Sequence, residues 1–145
     1  LKSGITFESL SFSYNEGERP ALSGASFFIP KGKTTAIVGK SGAGKSTVIN
    51  LLLRFYDPQS GSVLIDGNPL PDYKVESYLR HVGIVSQDTF IFNDTVRNNI
   101  AFGLKGAYTD DVIVDAAKRA GADEFISALP EGYDTMLGER GIRLS

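Results

Sequence analysis

Residues 39–46 carry the clearest chemical pattern in the chain, since GKSGAGKS fits G-x-x-x-x-G-K-[ST]. Its glycines let the backbone curl so that successive N–H groups point at phosphate oxygens, and the start of a following helix adds partial positive charge. Lys45 supplies a charge for the β- and γ-phosphates, and the Ser46 hydroxyl is a ligand for Mg²⁺. The loop is therefore predicted to bind a nucleotide polyphosphate with Mg²⁺. The predicted contact residues are Gly39, Lys40, Ser41, Gly42, Ala43, Gly44, Lys45, Ser46 and Thr47.

The segments on either side of this loop must form a strand and a helix to position it. Residues 34–39, TTAIVG, have a continuous apolar centre that is typical of a strand covered on both faces. Residues 45–55, KSTVINLLLRF, are apolar almost all round, which predicts a buried helix. Residues 82–86, VGIVS, indicate another buried strand. We therefore expect an α/β core over residues 33–88.

Strand patterns precede the loop and helical patterns end the chain. Apolar residues alternate from Ile5 to Tyr14 with a change of parity at residues 8–9, which predicts two strand pieces joined at a bulge or bend. Residues 110–120 form an amphipathic helix pattern with Thr109 as cap, and a shorter helix is expected at 122–129. The predicted fold is α/β: an antiparallel β portion at about 1–32, a P-loop NTPase core at 33–88 and a helical subdomain at 89–145.

Composition and the lack of two motifs exclude several other classes of protein. The chain has 145 residues and a net charge of −2, which gives no electrostatic footprint for nucleic acid. It contains no cysteine, so thiolate metal sites and disulfides are impossible. A GTPase would carry an N/T-K-x-D motif that reads the base, and a nucleoside kinase an Arg-rich lid; the sequence has neither.

Further motifs around the loop make the whole chain resemble the nucleotide-binding domain of ATP-binding-cassette (ABC) transporters. LSFSY, residues 10–14, resembles the aromatic A-loop of that family, in which Tyr14 would stack on adenine. GIVSQD, residues 83–88, resembles the Q-loop, which would bring Gln87 to Mg²⁺ and the attacking water. LRFYDPQSGSVLIDG, residues 53–67, is similar to exporter-type members.

The last residues, 129–145, are similar to the segment that leads into the family signature L-S-G-G-Q. Within it, GERG resembles the X-loop, which would place Glu139 and Arg140 near the transmembrane interface. Ser145 would be the signature serine, which contacts ATP held by the other subunit. The resemblance implies an ATPase domain that is incomplete at its C-terminus, because its Walker B aspartate, catalytic glutamate and further parallel strands would follow Ser145.

Two other residues imitate site residues. SVLIDG, residues 62–67, has the apolar-strand-then-Asp form of Walker B, but Asp66-Gly67 is more simply a turn. His81, the single histidine, does not match the switch position of the family and is interpreted as structural.

The resemblance implies a function for the intact protein. It would be a Mg²⁺-dependent ATPase that binds ATP and powers export of a substrate, while this chain alone would be soluble and inactive. The expected partners are a transmembrane domain, N-terminal in the same polypeptide, and a second nucleotide-binding domain in a head-to-tail dimer, with no nucleic acid. The domain would lie at the cytoplasmic face of the plasma or inner membrane. The alternative is a soluble ABC-type ATPase of repair or chromosome mechanics, which transports nothing.

Overall fold

The computed structural model describes residues 1–15, 17, 19–86, 90–104 and 108–138. The chain divides into two compact units, Leu1–Ile84 and Val85–Ser145. No helix in the described part of the chain has both the length and the apolar character needed to cross a membrane. The division of the sequence at residues 32 and 88 stays a prediction.

The first unit contains a four-stranded antiparallel sheet in the order β2-β1-β3-β4. Its strands are β1 (Gly4–Phe12), β2 (Leu22–Pro30), β3 (Ser60–Ile65) and β4 (Asn68–Pro69). β1 is central, and it pairs with β2 on one side and with β3 on the other. A 3₁₀ turn, Leu70–Asp72, follows the sheet.

The predicted bulge in the first strand is confirmed. The register of β1 against β2 shifts between Phe7 and Leu10, and Ser9 has a φ of 46°. The register of β1 against β3 shifts over the same segment, between Glu8 and Ser11. The extra residue lets Phe7 and Leu10 both face the core, because a regular strand would send them to opposite faces.

A helix packs on this sheet and completes the first core. Helix α1 (Lys45–Leu52) buries Val48 and Leu51 against Phe7, Leu10 and Phe12. Each such side chain contributes about 1.5–3 kcal/mol when it is fully buried. Since α1 begins at the phosphate-binding loop, this core fixes the loop relative to the end of β1. The short helix α2 (Val75–Leu79) follows the 3₁₀ turn.

The two buried strands predicted at residues 34–39 and 82–86 are wrong as secondary structure. Both segments lie outside regular strands, and Val38 and Val85 are 87% and 99% exposed. A strand covered on both faces needs hydrogen-bonded neighbours on its edges. The described strands are all used in the antiparallel sheet, and none of them pairs with either segment. An apolar sequence pattern does not show whether such neighbouring strands are present.

The second unit is helical. Its helices are α3 (Val96–Ala101), α4 (Asp110–Arg119) and α5 (Asp123–Ser127), with a 3₁₀ turn at Gly132–Asp134. Thr95 caps α3 by accepting a 3.1 Å hydrogen bond from the Asn98 backbone N–H. The two predicted C-terminal helices are present as α4 and α5. Thr109 holds the N-cap position of α4, but its side chain makes no cap hydrogen bond. A small core of Val96, Ala117, Ile126 and Leu137 holds this unit together.

Candidate functional site

The loop of residues 39–47 depends on glycine at two positions. Gly42 and Gly44 have φ values of 78° and 85°, in the left-handed region that other residues rarely adopt. Gly44 is also the residue from which α1 starts. A Cβ on Gly44 would lie 2.5 Å from the Ala21 carbonyl oxygen, whereas a Cβ on Gly42 would meet nothing within 4 Å. The loop therefore approaches the start of β2 too closely for a side chain at Gly44.

Lys45 closes the loop from inside. Its Nζ donates hydrogen bonds of 2.8 Å to the carbonyl oxygens of Gly39 and Lys40. The Ala43 N–H also donates to the Lys40 carbonyl oxygen, at 3.2 Å. An ammonium group has three N–H donors, and the third has no protein acceptor among the described residues. Lys45 therefore shapes the loop and still has a charged donor for an anion.

The next two residues of α1 lie in different surroundings. Ser46 is exposed in the first turn, where its hydroxyl is accessible to a ligand. Thr47 is only 4% exposed, and its Oγ1 accepts a 3.2 Å hydrogen bond from the Tyr14 hydroxyl. This bond connects the end of β1 to the loop across 33 residues of sequence.

Tyr14 is held from several sides. Its ring makes edge contacts with Phe12 and Tyr56, with ring centroids 5.0 Å and 5.2 Å apart. The Asn50 side-chain amide donates a 3.0 Å hydrogen bond to the Tyr14 hydroxyl oxygen. The side chain nevertheless remains 45% exposed. Tyr14 is therefore an anchored aromatic ring with surface left to contact a ligand.

A cavity of about 470 Å³ lies between Tyr14 and the loop. This volume falls within the usual range of about 300–1,000 Å³ for small-molecule sites. Backbone N–H groups of the loop, one ammonium and one aromatic ring suit a ligand with both a polyphosphate and a planar base. The cavity is lined by Tyr14, Ala21, Ser41, Gly42, Gly44, Lys45, Ser46 and Thr47.

Most of the predicted contact residues thus meet in one place, and the remaining loop residues, Gly39, Lys40 and Ala43, adjoin them. Four other predicted site residues, Gln87, Glu139, Arg140 and Ser145, lie outside the described residues, and their roles stay predictions. Across the described ranges, no cluster of three or more acidic or histidine side chains could hold a metal ion. Among the described residues of the loop, Ser46 offers an exposed hydroxyl that suits a Mg²⁺ ion.

Asp66 lies in the β3–β4 turn, as its turn interpretation predicts. Its carboxylate accepts hydrogen bonds from the backbone N–H groups of Ser3, Lys2 and Gly4, at 2.6, 2.7 and 3.1 Å. The bonds from Ser3 and Lys2 lower the pKa of Asp66 well below its usual range. This carboxylate fastens the N-terminus to the sheet.

Sequence reasoning missed Asn50 and Tyr56, which contact Tyr14, and Gln59, which bonds to the residue before it. Asn50 lies four residues after Ser46, so the helical period could have placed it on the same side of α1. Gln59 hydrogen-bonds to Ser13, which is 46 residues away, and no local pattern indicates such a contact.

The sequence matches a known family over most of its length. A family model described as ABC transporter matches residues 22–145. An ATP-dependent lipid A-core flippase of Vibrio cholerae serotype O1 is 50% identical over 141 residues, which cover 97% of this chain and 24% of the flippase. A Staphylococcus aureus protein assigned as a multidrug export ATP-binding/permease protein is 49% identical over 146 residues, which cover 100% of this chain and 25% of that protein.

A solved structure supports the same relationship. The structure of a bacterial Atm1-family ABC exporter with ATP bound matches 99% of this chain with a TM-score of 0.89 and 47% sequence identity. The match covers 25% of that exporter chain. The present chain therefore spans about a quarter of the length of these relatives.

Proposed function

Because this chain belongs to the ABC transporter family, we propose that Tyr14 and residues 39–47 bind Mg²⁺-ATP and that the intact protein uses ATP hydrolysis to drive export. The observation that carries the proposal is the single cavity shared by the phosphate-binding loop and an anchored tyrosine. A loop alone would suit any phosphate, whereas the ring adds a surface for a base.

Each part of the site has a distinct task. The loop N–H groups and the start of α1 hold phosphate oxygens, and Lys45 brings its charge to the β- and γ-phosphates. Ser46 supplies a hydroxyl to Mg²⁺, which when bound neutralises charge that develops on the phosphates. Tyr14 orients the adenine through stacking. Gln87, at the end of the segment that resembles the Q-loop, would position the attacking water.

Export is favoured over a repair or chromosome role, because the similar proteins named above are exporters or a flippase. Since those relatives are about four times longer, we propose an N-terminal transmembrane domain in the same polypeptide. Glu139 and Arg140 would contact it, and the domain would lie at the cytoplasmic face of the membrane. Ser145 would contact ATP bound by a second nucleotide-binding domain in a head-to-tail dimer.

Two further proposals concern the regions of the chain and its activity in isolation. The regions 1–32, 33–88 and 89–145 would act as the β portion, the P-loop core and the helical subdomain. No residue of the sequence matches the catalytic glutamate of the family, so we expect no sustained ATP turnover from these 145 residues alone.

Comparing two ligands tests the proposed site. In the full-length protein, Tyr14→Ala should weaken ATP binding about 5-fold to 150-fold, which corresponds to the stacking energy of about 1–3 kcal/mol. Binding of inorganic triphosphate should be unchanged, since it has no base. Titration calorimetry with both ligands makes the measurement.

Tyr108→Ala is the matched control, because Tyr108 is an exposed tyrosine that does not line the cavity. It should leave both affinities unchanged. Equal losses of ATP and triphosphate in Tyr14→Ala would show that Tyr14 acts through folding and would refute its role as a base platform.

A further inference from the structure

Gln59, just before β3, makes a pair of hydrogen bonds to the residue that precedes Tyr14. Its side-chain Oε1 accepts from the Ser13 backbone N–H at 2.7 Å, and its Nε2 donates to the Ser13 carbonyl oxygen at 3.1 Å. The backbone N–H of Gln59 also donates to the Ser11 carbonyl oxygen at 3.1 Å. One side chain thus satisfies both backbone groups of Ser13 and extends the pairing of β1 beyond its last residue.

The hydrogen bonds of Gln59 hold the backbone just before Tyr14. β1 ends at Phe12, so no strand partner fixes Ser13. The tyrosine hydroxyl is bonded to Thr47 and Asn50, and the ring packs edge-on against Phe12 and Tyr56. The backbone that carries this side chain has a different support, because the N–H and carbonyl groups of the preceding residue are both bonded to Gln59. A ring that stacks on a base must be held in one orientation, and its backbone contributes to that orientation.

We propose that Gln59 is a positioning residue for base recognition, which sets the orientation of Tyr14 and thereby the affinity for the adenine part of ATP. The inference rests on the proposed function, because it assumes that Tyr14 contacts the base. Gln59 itself does not line the cavity. Its effect must therefore pass through Tyr14 and leave the phosphate contacts of the loop unchanged.

A substitution series in the full-length protein tests this. Gln59→Met keeps a similar volume and removes both bonds to Ser13, whereas Gln59→Glu keeps only the acceptor. Gln59→Met should weaken ATP about 2-fold to 5-fold, because the bonds are exposed and compete with water, and Gln59→Glu should weaken it less. Inorganic triphosphate should bind equally to all variants. Ser60→Ala, at the adjacent exposed residue, is the control and should change neither affinity.

Two further measurements separate positioning from a structural role. An ethenoadenine analogue of ATP reports stacking through quenching of its fluorescence, and Gln59→Met should reduce that quenching. In a double-mutant cycle, Gln59→Met should add no loss of ATP affinity to Tyr14→Ala. A loss of triphosphate binding, or a full additional loss in the Tyr14→Ala background, would overturn the inference.

The two proposals fail in different ways. If Tyr14→Ala left ATP binding and quenching unchanged, Tyr14 would not be a platform for the base. If Tyr14→Ala weakened ATP binding and Gln59→Met did not, only the role of Gln59 would be refuted.

Discussion

The two left-handed glycines of the phosphate-binding loop make different demands on the residue type. Gly42 needs only the backbone conformation, since a side chain there would meet open space. Gly44 needs the conformation and the space, because a Cβ would lie 2.5 Å from the Ala21 carbonyl oxygen and 2.7 Å from Leu22 Cδ2. At the residue scale, the fold of the loop is therefore fixed most tightly where α1 begins.

Alanine at each glycine measures that difference. Gly42→Ala should cost roughly 1–2 kcal/mol of unfolding free energy, the usual penalty for a left-handed alanine. Gly44→Ala should cost about 1–3 kcal/mol more, because the added methyl overlaps packed backbone. Urea unfolding of the two variants makes the comparison. Equal losses would show that the contact with Ala21 does not constrain the loop.

At the element scale, the turn between β3 and β4 carries a charge that stabilises the sheet. Asp66 and Gly67 have φ values of 52° and 84°, a turn in which asparagine is also well accommodated. Asp66→Asn thus keeps the turn and replaces the carboxylate, which accepts hydrogen bonds from the Ser3 and Lys2 backbone N–H groups, with a neutral amide.

The lowered pKa of Asp66 predicts how stability depends on pH. A carboxyl whose pKa is lower in the folded state stabilises the fold above its unfolded pKa of about 3.9, and this contribution is lost as pH falls towards the folded pKa. Wild type should therefore be more stable than Asp66→Asn at pH 7, and the gap should narrow below about pH 4. Unfolding curves across this range test the prediction. Asp72→Asn is the control, because Asp72 is exposed and its carboxylate has no ion pair or hydrogen bond within the described part of the chain. A gap that stays constant with pH would contradict the assignment.

How far the sequence predicts an element depends on where the partners of that element lie. The bulge in β1 and the ends of α4 follow from local patterns, a parity change at residues 8–9 and a cap at Thr109. The strands expected at 34–39 and 82–86 require distant neighbours, which an apolar run cannot specify. For the same reason the sequence did not predict the contact of Gln59, because its partner Ser13 is 46 residues away. At the site, the loop motif predicts its residues, whereas the anchoring of Tyr14 depends on the tertiary structure.

At the scale of the whole molecule, the chain corresponds to about a quarter of its relatives and includes the loop that would bind the phosphates of ATP. Lys45 has a structural role and a proposed binding role. Its Nζ donates to the carbonyl oxygens of Gly39 and Lys40, and its positive charge remains for the ligand. Removing its side chain should therefore affect both the loop and the phosphate contacts.

The most direct test of the account is titration calorimetry of Mg²⁺-ATP with the full-length protein and its Lys45→Ala variant. Loss of charge-assisted contacts of about 1.5–3 kcal/mol should weaken ATP binding roughly tenfold to a hundredfold. Lys33→Ala, which removes an exposed lysine outside the cavity, should bind ATP like wild type. Equal ATP affinity in wild type and Lys45→Ala would contradict the assignment of residues 39–47 as the ATP site.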